Sequence, residues 1–372
     1  MKDKLIVVDS AHPLARENCC FDPRVEYTGC GHALNVRLAR EARRRGIDIV
    51  TADIYLTMAD PSFHAACVTD MVTCYTDWLI AKGVEPAICM SLESPLNAQR
   101  FYHHIIHYAG RFRHNYQFRG TQDRLRATGT QFHLVVFPVE TRAPLPLQPW
   151  GKRDHLVLVN SNKRAVARNV RNLKEFAQAV AKQARFRVWR LTDPWLRIRE
   201  IYLDRIEAIR YFANHPGFRL YGLGWDQPIP GFGLDYQRAV RKAYAGVIPS
   251  DVRLKRQVMS SFRYAICFEN CSFPGYITEK ISDCFLAGCI PVYWGAPDIT
   301  DFIPAETFID FRRFGSFVEL DKYLAKLSEG ESLAYIAAAR DFLASKAFDQ
   351  FHVDKLVHSM VENLQSALES VA

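Results

Sequence analysis

The chain is predicted to be an α/β protein of two Rossmann-like domains facing a cleft. Three observations carry that expectation. Short apolar runs alternate with amphipathic segments of helical period, the pattern of a parallel sheet covered by helices. A proline-bearing, polar stretch at 138–154 breaks the alternation, with Pro138, Pro144, Pro146 and Pro149 excluding a continuous helix or central strand. Beyond it the alternation begins again.

Taken in order, Leu5–Val8 form an apolar run with an Asp behind it, and residues 4–9 read as a first core strand rather than a secretory signal. Residues 32–45 read as a helix with the stripe Leu34, Leu38 and Ala42. Gly46 makes the turn into a strand over 47–55, written IDIVTADIY. Residues 65–82 read as a helix, 86–95 as an apolar strand running into a loop, and 132–138 as a further strand. After the break come a strand at 156–162, a helix with its face at Ile201, Ile206 and Ile209, and a strand at 218–225. The loop, helix and strand of 267–297 follow. A last helix from about residue 353 is expected to pack back toward the first domain. The expected boundaries are 1–148, 149–345 and a helical segment 346–372.

Composition narrows the classes. With 372 residues, 49% hydrophobic and 24% charged, the chain is long and apolar enough for two cored domains and does not read as disordered. No apolar run approaches a bilayer span, so the expected compartment is the cytoplasm. The net charge of +8 points to an acidic partner: nucleic acid, an anionic membrane surface or a phosphorylated small molecule. The basic run REARRRG (40–46) reads as a solvated helix face. Ten cysteines follow neither a disulfide-scaffold density nor a repeated zinc spacing. The cluster Cys19, Cys20, Cys30 and His32 therefore reads as reduced, mostly buried thiols beside a histidine.

The stretch CFENCSFPGYITEKISDCFLAGCIPVYWGAP (267–297) carries chemistry. Thr278 is placed to cap a helix beginning at Glu279, with an apolar face of Ile281, Cys284 and Phe285 and an end at Gly288. That puts Lys280 in the first turn, where the helix dipole disfavours a cation unless an anion shares the site. A diphosphate suits such a place, since free amides and the dipole already favour it. Glu279 is then placed to bond a sugar hydroxyl, and Tyr276 to lie along a phosphate or a ring. The alternative is that Glu279 and Lys280 are ordinary surface charges.

The same stretch resembles the signature of the α1,3/1,4-fucosyltransferases, family 10 of the glycosyltransferases: FEN, a short loop, Y-x-TEK, a small-residue helix, then PV-x-x-G. The likeness continues through FIPAETFIDFRRFGSFVELDKYLAKL (302–327) and, more weakly, across 86–225. The resemblance implies a GT-B type fold, with an acceptor-side first domain and a GDP-sugar-binding second domain. It implies that Asn270, Tyr276, Thr278, Glu279 and Lys280 contact the donor. It places a second cation on Arg205, with Arg199 and Arg210 as neighbours to be told apart, and adds Asn162 and Lys163 from VNSNK as donor-side residues. SLESPLNAQRFYHHII (91–106) resembles the family's ESP stretch and puts the general base on Glu93, at the end of an apolar strand. A loop acid capping the next helix is the bland reading of Glu93.

The implied reaction is inverting transfer of L-fucose from GDP-β-L-fucose to a saccharide hydroxyl, α1,3-linked to a GlcNAc-type residue. Without a DxD motif no essential metal is expected, a divalent ion being at most stimulatory. Lys280, Arg205 and helix amides would meet the charge on leaving GDP, and loss of Lys280 should hurt turnover more than folding. The acceptor is an oligosaccharide or lipid-linked saccharide, with at most a weak peripheral contact to the inner face of the membrane. Rival readings are a transferase of another GDP-sugar, a basic nucleic-acid-binding protein and a non-catalytic sugar-binding module. His103, His104 and His107 lack the glutamate of a metalloprotease helix. The arginine–aromatic segment RFRHNYQFRG (111–120) reads as an acceptor or domain-packing element rather than a nucleic-acid surface.

Overall fold

The structure is a computed structural model. It describes residues 4–10, 12–25, 30–58, 63–162, 188, 193, 195, 198–227, 233–249 and 251–370. The chain forms two compact units: residues 1–141, 274–276 and 348–372 make the first, and residues 142–273 and 277–347 the second.

The first unit is built on a six-stranded parallel sheet in the order β2-β1-β3-β4-β5-β6. The strands are β1 (Lys4–Ser10), β2 (Asp48–Thr51), β3 (His64–Asp70), β4 (Glu85–Met90), β5 (His114–Gln117) and β6 (Gln131–Leu134). The order reverses between β1 and β3, and ligands of such sheets bind beyond the carboxyl ends at that reversal. Helix α1 (Cys30–Arg44) presents Leu34, Leu38 and Ala42 to a core that includes Ile6, Val8 and Ile88.

Two local expectations are corrected here. The expected strand 47–55 stops at Thr51, and its second half is the short helix α2 (Ala52–Thr57). Hydrogen bonds from the Glu17 amide to Asp53 and between Asn18 and Thr51 pin that turn. The expected helix 65–82 divides into β3 and α3 (Cys74–Ala81), because pairing with both β1 and β4 overrides local preference and Thr73 starts the helix with a reciprocal capping box. The segment 111–120 contains the buried strand β5, with Phe112, Tyr116 and Phe118 in the core. Its aromatics are therefore not a surface.

The second unit carries a parallel sheet in the order β10-β9-β7-β11-β13-β14. Its strands are β7 (Asp154–Val159), β9 (Phe218–Tyr221), β10 (Tyr244–Gly246), β11 (Phe262–Phe268), β13 (Ile290–Trp294) and β14 (Ile309–Asp310). Counted within the unit this is 3-2-1-4-5-6, the dinucleotide-binding Rossmann order, with its reversal between β7 and β11. A two-stranded antiparallel ribbon joins β8 (Arg199–Glu200) to β12 (Cys271–Ser272). Its helices include α4 (Tyr202–Phe212), α5 (Val252–Ser260), α6 (Glu279–Ala287), α7 (Phe317–Lys326) and α8 (Glu329–Ala344). Ile201, Ile206 and Ile209 are buried in this unit's core as their spacing predicts.

The last helix, α9 (Val353–Ser370), returns to the first unit. Val357, Met360, Val361, Leu364, Ala367 and Leu368 repeat at helical spacing and join the first unit's core. Burial of each larger side chain contributes roughly 1.5–3 kcal/mol, enough to hold the helix there. Among the described residues no helix is long and apolar enough to cross a membrane.

Candidate active site

The second unit gathers its polar side chains at the carboxyl ends of β7, β9, β11 and β13, around the strand-order reversal. Asn160 and Asn162 follow β7. The Asn162 amide side chain donates to Gly224 O at 3.1 Å, and its backbone N–H donates to Leu223 O at 2.8 Å. The facing loop passes so close that a Cβ on Gly222 would collide with the Asn160 carbonyl, and Gly222 holds φ +140°. Only glycine meets both conditions. Lys163 lies outside the described residues.

Arg205, on α4, is 2% exposed. Its guanidinium donates to Asn160 Oδ1 at 3.2 Å, Phe268 O at 2.6 Å and Asn270 Oδ1 at 3.1 Å, and it stacks over the Tyr202 ring at 4.9 Å. The structure separates it from its neighbours. Arg199 is exposed, bonded to Asp204 and lying over Trp294, and Arg210 is exposed and bonded to Glu207. Of the three, Arg205 is the one whose charge is buried at the sheet's edge.

Helix α6 begins at Glu279 and ends at Gly288, as its sequence predicts. Thr278 takes the N-cap position but makes no side-chain cap. Its hydroxyl and its backbone N–H donate instead to Glu269, at 2.8–3.0 Å. Lys280 Nζ donates to Glu269 Oε2 at 2.9 Å and to Thr278 Oγ1 at 2.8 Å. The glutamate of FEN is thus the resident anion that a first-turn lysine demands. Burial lowers the proton affinity of Lys280, but the Glu269 and Glu279 carboxylates outweigh it and hold the ammonium above its usual range. The Arg205 guanidinium pushes the other way, so the two cations lie in electrostatic reach of each other.

This pair revises one expectation. Glu269 is fully buried, and removing Lys280 leaves its carboxylate without a counter-ion, a loss of about 3–5 kcal/mol. Loss of Lys280 must therefore act on folding. Gly295, last residue of the PV-x-x-G pattern, is explained by the same carboxylate, since a Cβ there would collide with the Glu269 side chain. Glu279 stands at the start of α6, with Lys255 Nζ 3.9 Å from its carboxylate. Deeper in α6, Asp283 accepts from Lys255 at 2.7 Å and Arg256 at 2.8 Å, clamping α5 to α6.

Tyr276 is placed differently from the other donor-side candidates. It belongs to the first unit with Pro274 and Gly275, and its buried ring packs edge-on against Phe118 at 5.1 Å. The structure brings Asn162, Arg205, Asn270, Thr278, Glu279 and Lys280 to one edge of the second unit's sheet.

In the first unit, Glu93 follows β4 and is half-buried. Its Oε1 accepts from the Ser94 amide and Asn97 Nδ2, both at 2.8 Å, while its backbone carbonyl accepts from the Tyr102 hydroxyl at 2.9 Å. Two more acids end strands beside it. Asp9, at the end of β1, is buried and accepts from the hydroxyls of Thr73 and Thr76, and burial raises its pKa in spite of them. Burial, followed by the negative charges of Glu93 and Asp9, pushes Asp70 at the end of β3 up to about 7. These acids, like Glu269 and Asn160, are absent from the sequence-derived set. The available signal was position: each ends or follows an apolar strand.

The described cysteines are free, and burial pushes the Cys20 thiol up to about 12. His103 and His104 pack edge to face, with ring centroids 4.5 Å apart.

Two open parallel sheets of Rossmann type, each covered by helices, make an α/β fold of GT-B type. Solved structures agree on the fold. An α-glucosyltransferase in complex with UDP and a 13-mer DNA matches at TM-score 0.53 and 8% identity, over 98% of this chain and all of that one. Anabaena Alr3699/HepE in complex with UDP-glucose matches at TM-score 0.52 and 10% identity, over 97% and 99%.

Residues 236–348 match the family model described as glycosyltransferase family 10 (fucosyltransferase), C-terminal. The α-(1,3)-fucosyltransferase FucT of Helicobacter pylori is 35% identical over 77 residues, 20% of this chain and 16% of that protein. The α-(1,4)-fucosyltransferase of Arabidopsis thaliana is 35% identical over 77 residues, 21% of this chain and 19% of its own length. The matched segment thus spans less than a fifth of each of these relatives.

Proposed function

We propose that the protein is an inverting glycosyltransferase that moves L-fucose from GDP-β-L-fucose to a hydroxyl of an oligosaccharide or lipid-linked saccharide, with an α1,3 linkage. The observation that carries the reading is the placement of the buried Arg205 and the partly buried Lys280, in mutual electrostatic reach, at the strand-order reversal of a Rossmann sheet. Like charges repel there unless an anion of more than one charge joins them. Glu269 offsets one of the two, and a diphosphate answers the remainder together with the amides at the start of α6.

In this mechanism Glu93 takes the proton of the acceptor hydroxyl as its oxygen attacks the anomeric carbon, and the bond to GDP breaks on the opposite face. Both side-chain hydrogen bonds of Glu93 fall on Oε1, so Oε2 is the oxygen that meets the hydroxyl. Charge gathering on the leaving diphosphate is met by Arg205 and Lys280, each held by fixed partners before the reaction begins. Asn270, which orients Arg205, and Asn162 and Thr278 act as donor-side positioning groups. Glu279 is placed for a sugar hydroxyl. The site requires no metal for this chemistry.

A thermal-shift panel of GDP, UDP, CMP and a short RNA tests the reading, followed by GDP-fucose turnover against a saccharide panel. GDP should stabilise the chain by about 2.7 kcal/mol at a hundredfold excess over its Kd. Preference for UDP or CMP refutes the donor, and preference for RNA refutes the enzyme.

A further inference from the structure

We infer that the second unit holds a transition-metal site made of His155, His215 and Asp321, at the end of its sheet opposite to Arg205 and Lys280. One ligand atom from each of the three lies within 4.8 Å of the others, and all three side chains are half-buried. His155 is the second residue of β7, His215 sits in the turn before β9, and Asp321 is on α7. The parallel pairing that sets Leu156 opposite Phe218 fixes the two histidines side by side, with ring centroids 4.4 Å apart. Asn160 stands five residues along from His155, about 16 Å at strand rise, so this site lies away from the candidate diphosphate edge.

Several features suit a cation. His155 Nε2 is buried and has no hydrogen-bond partner, an expensive state for an imidazole nitrogen unless something else meets it. The Asp321 carboxylate accepts from the Tyr211 hydroxyl of α4 at 3.1 Å, the kind of outer partner that orients a metal-binding carboxylate. His215 Nδ1 now accepts a long 3.2 Å bond from the Gly217 amide, and coordination through that nitrogen would replace it. Tetrahedral coordination needs ligand atoms about 3.3 Å apart, which small side-chain rotations supply. Two imidazoles and one carboxylate select a zinc-like ion over magnesium or calcium and leave one position for water. Bound there, the ion would tie β7, the β9 turn and α7 together as a structural clip.

Titration of the chelator-stripped full chain with zinc chloride, followed by calorimetry, should show one ion bound per chain and a raised melting midpoint. Cobalt(II) in its place should give a visible absorption band of low-coordinate N/O ligation. Asp321→Asn and His215→Gln, both at partly exposed positions, should weaken uptake at least tenfold while circular dichroism and stabilisation by GDP persist. His104→Gln and Cys20→Ser should leave it unchanged. The site is refuted if no ion binds at this stoichiometry, if binding survives Asp321→Asn and His215→Gln, or if it is lost in His104→Gln or Cys20→Ser.

Discussion

The two units share an architecture and differ in the charge that they place at its most ligand-prone edge. At the reversal of the first sheet stand Asp9 and Asp70, with Glu93 after the next strand. At the reversal of the second stand Arg205 and Lys280. The supports differ as well. Hydroxyls and amides hold the acids and supply no counter-charge, and burial, added to by the charges of Glu93 and Asp9, drives Asp70 up to about 7. The cations are held by a buried carboxylate, a backbone carbonyl and side-chain amides, which keep them charged at rest. One edge gathers carboxylates without counter-ions, and the other holds its cations on fixed partners.

The largest effect should come from breaking the second edge. Lys280→Ala should cost about 3–5 kcal/mol of stability, read in urea unfolding, because Glu269 is left buried and unpaired. The double change Lys280→Met with Glu269→Gln removes both charges and should recover most of that stability. Its turnover should still fall at least a hundredfold. A double variant that turns over normally would show the cation to be structural.

Glu93→Gln probes the first edge with a smaller and purer loss. The amide keeps the shape of the loop, so unfolding and GDP affinity should not move, while kcat falls by about 10²–10⁴. Retained activity would leave the acid edge without a base at Glu93. Gly222→Ala tests backbone rather than charge. The added Cβ meets the Asn160 carbonyl at a left-handed φ, and a loss on the order of 1–3 kcal/mol is expected in thermal unfolding.

The smallest expected effect is on pH, and it belongs to the first unit. His114 Nδ1 and His133 Nε2 are 3.1 Å apart, with Tyr116 stacked on His133, Asn363 and Ser359 bonded to Tyr116, Gln131 beside His114, and Arg113 and Glu362 nearby. Burial pushes His114 down to about 4 and also lowers His133. The unfolded chain takes up these protons near 6.5 while the native chain resists them. Stability is therefore whole above that pH and is lost as pH falls toward 4. A drop of a few degrees in melting midpoint between pH 7 and 5, reduced in His114→Gln, is the expected reading.

Much of the fold was legible because alternation of apolar runs and helical stripes is a local signal. β1, α1, β7, the isoleucine face of α4 and the returning α9 follow from it directly. The failures have a common cause. β3 is rich in small residues, β5 is short and polar, and both owe their state to strands on both sides, which a single stretch of sequence does not display. In the site, Lys280 was legible as a cation needing an anion, but the identity of that anion was not. Glu269 precedes it by eleven residues, and its approach depends on a parallel pairing with β13 and on the absence of a side chain at Gly295. Of the acids of the first unit, Glu93 was legible through the ESP stretch, whereas Asp9 and Asp70 end separate strands and show no motif.

The membership of the last helix in the first unit limits how this molecule can be cut. A clone ending near residue 347 would strip one sheet of the cover supplied by Val357, Met360 and Leu364, leaving a sticky surface, while the detached tail would have an oily side and no home. Pro274 to Tyr276 add a second obstacle, because they are lent to the first unit from inside the signature stretch of the second. Domain-swap chimaeras must therefore exchange three pieces rather than one, and a permuted gene that joins the tail to the front would be the more natural vehicle.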